Sequence, residues 1–333
     1  MKKKVSLISL IFSCLLVSAT TYLVTISSEH KTQETHINAI PSCSASMDQM
    51  RLNYYKFTKP LILANVNEES ASFINIRSKI EQYISLAKSN GALEDISVYF
   101  RKMNDGSWFN INPEQKYNPA SMSKIFFLIA YLKEAETNSS VLDKKLYFEK
   151  HYSETYPQNI KDFELKPNNS YSVRDLLTYM IKYSDNDATV LLTQNMNVKI
   201  YKKIFSDFNV PLPPEVGEYL ITAYDYSKFL RVLYNATYIN AEFSEFGLKL
   251  LTQSSFQEGI KKGLTPDIEV AHKFGERILG MNAQLHEFGI VYFQGEPYML
   301  GVMTKGKSLP ELSKIVADIS RITYAEYCML PQS

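Results

Sequence analysis

The chain has 333 residues, 45% of them hydrophobic, enough for one large globular domain with a substantial core and short appendages. Its 36 lysines and arginines nearly balance 35 aspartates and glutamates, so no global field points to nucleic acid and no such partner is expected. A single tryptophan, five histidines without metal-ligand spacing and the lack of a glycine-rich phosphate loop imply no metal or nucleotide cofactor.

Lys2-Lys3-Lys4 precedes an uncharged stretch from Val5 to Ser28, long enough as a helix to cross a bilayer with its positive end on the cytoplasmic side. Val17-Ser18-Ala19 offers a signal-peptidase site after a shorter apolar core, and Ser13-Cys14 a poorer lipoprotein site. Each alternative exports the remainder of the chain. Residues 1–28 are therefore expected to be a membrane anchor or signal peptide, and the rest extracytoplasmic, membrane-anchored or secreted. Residues 29–68 are polar without sustained periodicity and read as a spacer. Cys43 lies in it and Cys328 near the C-terminus; they are either a disulfide or two free thiols.

The folded domain is expected over residues 69–330. An amphipathic helix from about Ser70 to Lys88 leads to strands at Ile96 to Lys102 and Ser107 to Ile111, joined by the turn signal Asn104-Asp105-Gly106. Next comes Ser121-Met122-Ser123-Lys124, opening an apolar run through Leu132 that reads as a buried helix. A mostly helical stretch to about Leu264 carries Ser184-Asp185-Asn186. Strands come next at Ile268 to Phe274, which ends in Lys273-Phe274-Gly275, and at Gln284 to Phe293 and Tyr298 to Thr304. A final helix starts at Ser308-Leu309-Pro310-Glu311, a capping box with an early proline. Strands that begin and end a domain around a helical insert describe an α/β (α+β) sandwich: a five-stranded antiparallel sheet flanked by terminal helices, plus a helical lobe.

Short motifs recur by chance, and this chain also holds Ser85-Leu86-Ala87-Lys88 and Lys261-Lys262-Gly263. Context separates the copies: the second Ser-x-x-Lys lies on an ordinary amphipathic helix, and the second Lys-x-Gly runs into a Leu-Thr-Pro turn. A serine hydroxyl is a poor nucleophile until a base takes its proton, and Lys124, one helical turn on, shares a face with Ser121. Burial and a second cation, Lys273, would lower the Lys124 pKa and let it act as that base. Ser184 suits proton relay to a leaving amine, the Asn186 amide suits hydrogen bonds to Lys124 and a substrate carbonyl, and Asp185 suits capping of its loop.

The three motifs in this order resemble the active-site set of the penicillin-recognising serine enzymes, the class A β-lactamases and penicillin-binding proteins, whose pattern is S-x-x-K, S-D-N and K-T/S-G. The resemblance covers about Ser70 to Thr323 and implies a β-lactamase/transpeptidase-like fold and acylation of Ser121. It implies an oxyanion hole from the backbone N–H groups of Ser121 and Glu276, and substrate contacts at Asn186, Lys273, Phe274 and Gly275. A β-lactam or cell-wall peptide substrate and a monomeric protein, held to the membrane by its N-terminal segment, are expected.

Two departures shape the function. Phe274 stands where the family has a threonine or serine that offers a hydroxyl to a substrate carboxylate, and Glu276 beside it repels an anion unless Arg277 or Lys273 compensates. The stretch from Phe208 to Glu218 looks too short for the family's Ω-loop, whose glutamate activates the deacylating water; Glu215 and Glu218 are the only replacements nearby. The chain can then be an acyl-serine hydrolase slow to release β-lactams, a D,D-peptidase or transpeptidase, or a non-catalytic binding or sensor domain.

Overall fold

The computed structural model describes residues 47–52, 60–66, 68–152 and 163–330. The targeting segment, Cys14 and Cys43 lie outside them; Cys328 is an exposed free thiol. Among the described residues no helix is long and apolar enough to cross a membrane.

In chain order the strands are β1 (Met47–Arg51), β2 (Leu61–Val66), β3 (Leu93–Lys102), β4 (Trp108–Ile111), β5 (Lys116–Tyr117), β6 (Lys145–Phe148), β7 (Asn169–Ser172), β8 (Ile221–Thr222), β9 (Glu269–Leu279), β10 (Asn282–Tyr292) and β11 (Tyr298–Gly306). The helices are α1 (Ile74–Ser89), α2 (Lys124–Ala135), α3 (Val173–Lys182), α4 (Asn186–Asn195), α5 (Val198–Asp207), α6 (Ala223–Tyr234), α7 (Ala241–Thr252) and α8 (Leu309–Tyr327). The main sheet is antiparallel with order β4-β3-β11-β10-β9, so the first and last strands of this sheet in chain order, β3 and β11, pair with each other and β9 forms an edge.

Period-two alternation divides the sheet's two faces. Ile96, Val98 and Phe100 of β3 pack with Ile76, Ile80 and Ile84 of α1 and with Leu312, Val316 and Ile319 of α8. Tyr99 of β3, Met299 and Met303 of β11 and Phe288 of β10 join the other core, built around α2. Both faces being covered, the sandwich expected from the sequence is the one observed. Ser308 caps α8 by accepting from the Glu311 backbone N–H at 3.4 Å, and its hydroxyl donates to the Glu311 carboxylate at 2.8 Å, so the predicted cap forms with side chain answering side chain. In the β3–β4 turn, Gly106 takes φ 77°, which glycine adopts without strain, and Asp105 accepts from the Ser107 N–H at 2.8 Å.

Helix α2 is buried nearly all round because it runs through the lobe's centre. The Phe126 ring lies 4.3 Å from that of Phe229 and 5.2 Å from that of Phe205, centroid to centroid. Truncating it would leave a cavity among rings that cannot collapse inward, so Phe126→Ala is expected to cost about 3–5 kcal/mol in urea unfolding.

Two sequence expectations need correction. The spacer does not extend to residue 68: β1 and β2 pair antiparallel, and Leu52, Ile62 and Leu63 are buried in the α2 core. Polar flanks hide this short apolar run, which is held by Asn65, whose amide donates to the Tyr224 hydroxyl at 2.8 Å and accepts from Arg231 at 2.5 Å. The stretch read as mostly helical is also interrupted by the ribbon β6–β7, where Leu146 and Phe148 alternate inward over four residues, too few for a clear period-two signal.

Candidate active site

Three segments converge on the site. Ser121 sits in a 3₁₀ turn, Ala120–Ser123, immediately before α2. Ala120 takes φ 47°, an unusual value for a residue with a Cβ, and Asn118 supports it by accepting from the Ala120 N–H at 2.9 Å. The Tyr226 hydroxyl donates to the Met122 carbonyl at 2.9 Å and ties the turn to α6. The second segment comes after α3: Ser184 takes φ 56°, and Asp185 caps α4 by accepting from the Ala188 N–H at 2.6 Å. The third is edge strand β9, which carries Lys273, Phe274, Gly275 and Glu276.

These segments bring Ser121, Lys124, Ser184, Asn186 and Lys273 into one hydrogen-bonded cluster. Lys124 Nζ lies 2.9 Å from Ser121 Oγ, 2.6 Å from the Ser184 carbonyl oxygen, 3.1 Å from Ser184 Oγ and 2.7 Å from Asn186 Oδ1. Lys273 Nζ lies 3.0 Å from the same Ser184 Oγ. One hydroxyl thus stands between two lysines. The left-handed Ser184 backbone goes with a carbonyl aimed at Lys124, so its strain is offset by a bond to the buried amine.

Proton counting shows what the cluster can do. A neutral lysine has two N–H donors and one lone pair; two of its neighbours here, both carbonyl oxygens, can only accept. They take both N–H groups and leave the lone pair for a serine hydroxyl. Burial favours this state: it pulls the Lys124 pKa down to about 7, against the opposing charge of Asp185. Lys273 is held well below its ordinary value, first by burial and then by the nearby Lys124 charge. Ser85 and Lys88, the second Ser-x-x-Lys pair, are both exposed on α1, where neither effect operates.

Gly275 explains how β9 approaches the nucleophile. A Cβ there would lie 2.5 Å from the Pro119 carbonyl oxygen and 3.0 Å from the Ser121 nitrogen, both backbone atoms. Only glycine permits that contact, which also brings the Glu276 backbone to within a residue of the Ser121 N–H. Gly275→Ala is expected to push the strand away and slow Ser121 modification by about 10²-fold or more, with circular dichroism confirming a retained fold. The readout is the labelling rate with a fluorophosphonate.

Phe274 does more than lack a hydroxyl. Its ring is buried, stacks on Phe256 with centroids 4.2 Å apart, and lies 4.3 Å from Lys273 Nζ. Phe256 carries no sequence signal, being one aromatic in a polar loop. The Ser255 N–H donates to the Lys182 carbonyl at 2.9 Å, fastening that loop next to the Ser184 segment.

Glu215 and Glu218, the two glutamates of the shortened loop, do not join the cluster. Glu215 is almost fully exposed and faces Lys202 at 3.8 Å. Glu218 is ion-paired with Arg277 of β9, so Arg277 is not left to offset Glu276. Glu276 itself is partly exposed beside Phe256 and Leu285, in a cleft of about 630 Å³. Among the described residues no group of three or more His, Cys, Asp or Glu side chains gathers to hold a metal ion.

An α/β sandwich with a serine, two lysines and a Ser-Asp-Asn turn at the junction of sheet and helical lobe defines the class of β-lactamase-like serine hydrolases. The model of the β-lactamase enzyme family matches residues 75–327, and the chain belongs to that family. Solved structures agree on the fold. A mutant of PBP-A in its acyl-enzyme complex with penicillin G is 20% identical with a TM-score of 0.64, over 77% of this chain and 97% of that one. A β-lactamase from Sphaerobacter thermophilus DSM 20745 is 16% identical with a TM-score of 0.64, over 78% and 99%. Another from Chitinophaga pinensis DSM 2588 is 16% identical with a TM-score of 0.65, over 76% and 99%. No curated protein matches the sequence.

Proposed function

We propose that the chain is an exported acyl-serine hydrolase, acting as a monomer, that is acylated at Ser121 by β-lactams or related amides and releases the β-lactam acyl group slowly. The observation that carries the reading is the contact set of Lys124, which leaves its lone pair for the nucleophile. Ser121 Oγ attacks the acyl carbon while its proton passes to Lys124 Nζ. The oxyanion is received by the backbone N–H groups of Ser121 and Glu276. As the C–N bond breaks, a proton passes from Lys124 through the Ser184 hydroxyl to the leaving nitrogen, and Lys273 holds that hydroxyl in place. Water then cleaves the acyl-enzyme. The charged Lys2-Lys3-Lys4 start and the apolar stretch behind it support export and attachment to a membrane.

A second reading, a D,D-peptidase or transpeptidase acting on cell-wall peptides, is favoured by the positions of Glu215 and Glu218, since neither joins the cluster. The acyl-enzyme seen for the PBP-A mutant with penicillin G agrees with either. Intact-mass measurement after incubation with penicillin G tests the common step. A single penicilloyl adduct on the wild type, absent from Ser121→Ala, is expected; an equal adduct on both proteins would refute it.

A further inference from the structure

We propose that this site favours acyl donors whose leaving portion is neutral over those that, like penicillin, carry an anion there and so acylate more slowly, because the Phe274–Phe256 pair and its surroundings crowd the place where such an anion would dock. The proposal rests on the reading of Ser121 as the acylated residue and specifies its substrate class.

Four observations carry it. The Lys273 amine is engaged inside the site: its Nζ donates to Ser184 Oγ at 3.0 Å and to the Phe274 carbonyl oxygen at 3.0 Å, and the Phe274 ring centroid lies 4.3 Å from it. Lys273 is 0% exposed, so an incoming carboxylate meets no part of it. The ring that covers it is itself fixed, lying 2% exposed and stacked at 14° on Phe256. The remaining nearby charges do not favour an anion: Arg277 is neutralised by Glu218, and the Glu276 carboxylate stands beside the strand without an ion pair among the described residues. An anionic leaving group would have to displace two stacked rings and face a like charge, whereas a neutral one loses nothing.

A matched pair of esters tests this on the full-length chain. Phenylacetate esters of 4-hydroxybenzoate and of its methyl ester differ at the leaving group only in one charge, and each enzymatic kcat/KM is divided by the rate of hydroxide-catalysed hydrolysis. The wild type is expected to prefer the neutral ester by about tenfold or more. Phe274→Thr, which shortens the cover and adds a hydroxyl, is expected to raise the rate with the anionic ester by about tenfold and to erase the preference. Phe256→Ala, which removes the ring behind the cover and leaves the strand untouched, is expected to act in the same direction.

Equal or better use of the anionic ester by the wild type overturns the proposal. So does a preference that neither substitution changes, or failure to turn over either ester in protein whose Ser121 reacts with a fluorophosphonate. If the fluorophosphonate does not label Ser121 at all, the acyl-serine reading fails first and the substrate class falls with it.

Discussion

Replacing Lys124 by methionine is expected to slow acylation of Ser121 by about 10² to 10⁴, the range general-base removal commonly costs. The amine is the only basic group in hydrogen-bond contact with Ser121 Oγ among the described residues. Lys124→Arg is expected to be equally slow, because a guanidinium keeps its proton and cannot accept another. In the wild type the acylation rate should rise with pH through an apparent pKa near the value of about 7 to which burial pulls Lys124, and level off above it. That apparent pKa belongs to the coupled pair with Lys273. A flat profile from about pH 5 to about pH 9 would contradict the role. Linkage gives the same group a stability signature. Between pH about 7 and the free-lysine value of about 10.4 the unfolded chain holds a proton that the folded chain lacks, so this residue's contribution makes stability rise with pH across that window. Lys124→Met should remove that part of the slope.

The second large effect concerns release of the acyl group. A water that attacks the acyl-enzyme needs a base beside it, and the two glutamates closest to the family's usual position are engaged elsewhere, Glu215 with Lys202 and Glu218 with Arg277. Without such a base, hydrolysis loses about 10² to 10⁴ in rate. The penicilloyl-enzyme is therefore expected to persist for minutes or longer once excess penicillin is removed, measured as the decay of adduct mass. Glu215→Gln and Glu218→Gln should leave that decay unchanged within about twofold. Decay within seconds, slowed by either substitution, would show that one of these side chains reaches the acyl-enzyme after all.

Much of the fold was legible in the sequence because it rests on periodicity and spacing. The alternation from Ile268 to Phe274, which marks a strand that the structure extends to Leu279, the all-round apolar character of the helix after Ser121 and the Ser308/Glu311 cap each depend on neighbours along the chain. Ser121, Lys124 and Ser184 could be picked out because their residue types recur together in a known motif set. What escaped depends on contacts across the fold. Phe256 and Phe274 are 18 positions apart, and nothing local says their rings stack over Lys273. The strand Leu61–Val66 draws its stability from Arg231 and Tyr224 in α6, more than 150 residues on. Glu218 was a plausible base by position alone, until its ion pair with Arg277 placed it at the strand instead.

Locating the modified residue tests the central claim most directly. The full-length protein would be exposed briefly to penicillin G at a pH above about 7, where Lys124 is neutral, then quenched in acid, digested and sequenced by tandem mass spectrometry. The pairing of Ser121 with a buried neutral Lys124 predicts the adduct on the peptide containing Ser121 and none on that containing Ser85, the exposed serine of the duplicate motif. An adduct on Ser85 or on any other residue, with Ser121 unmodified, would contradict it.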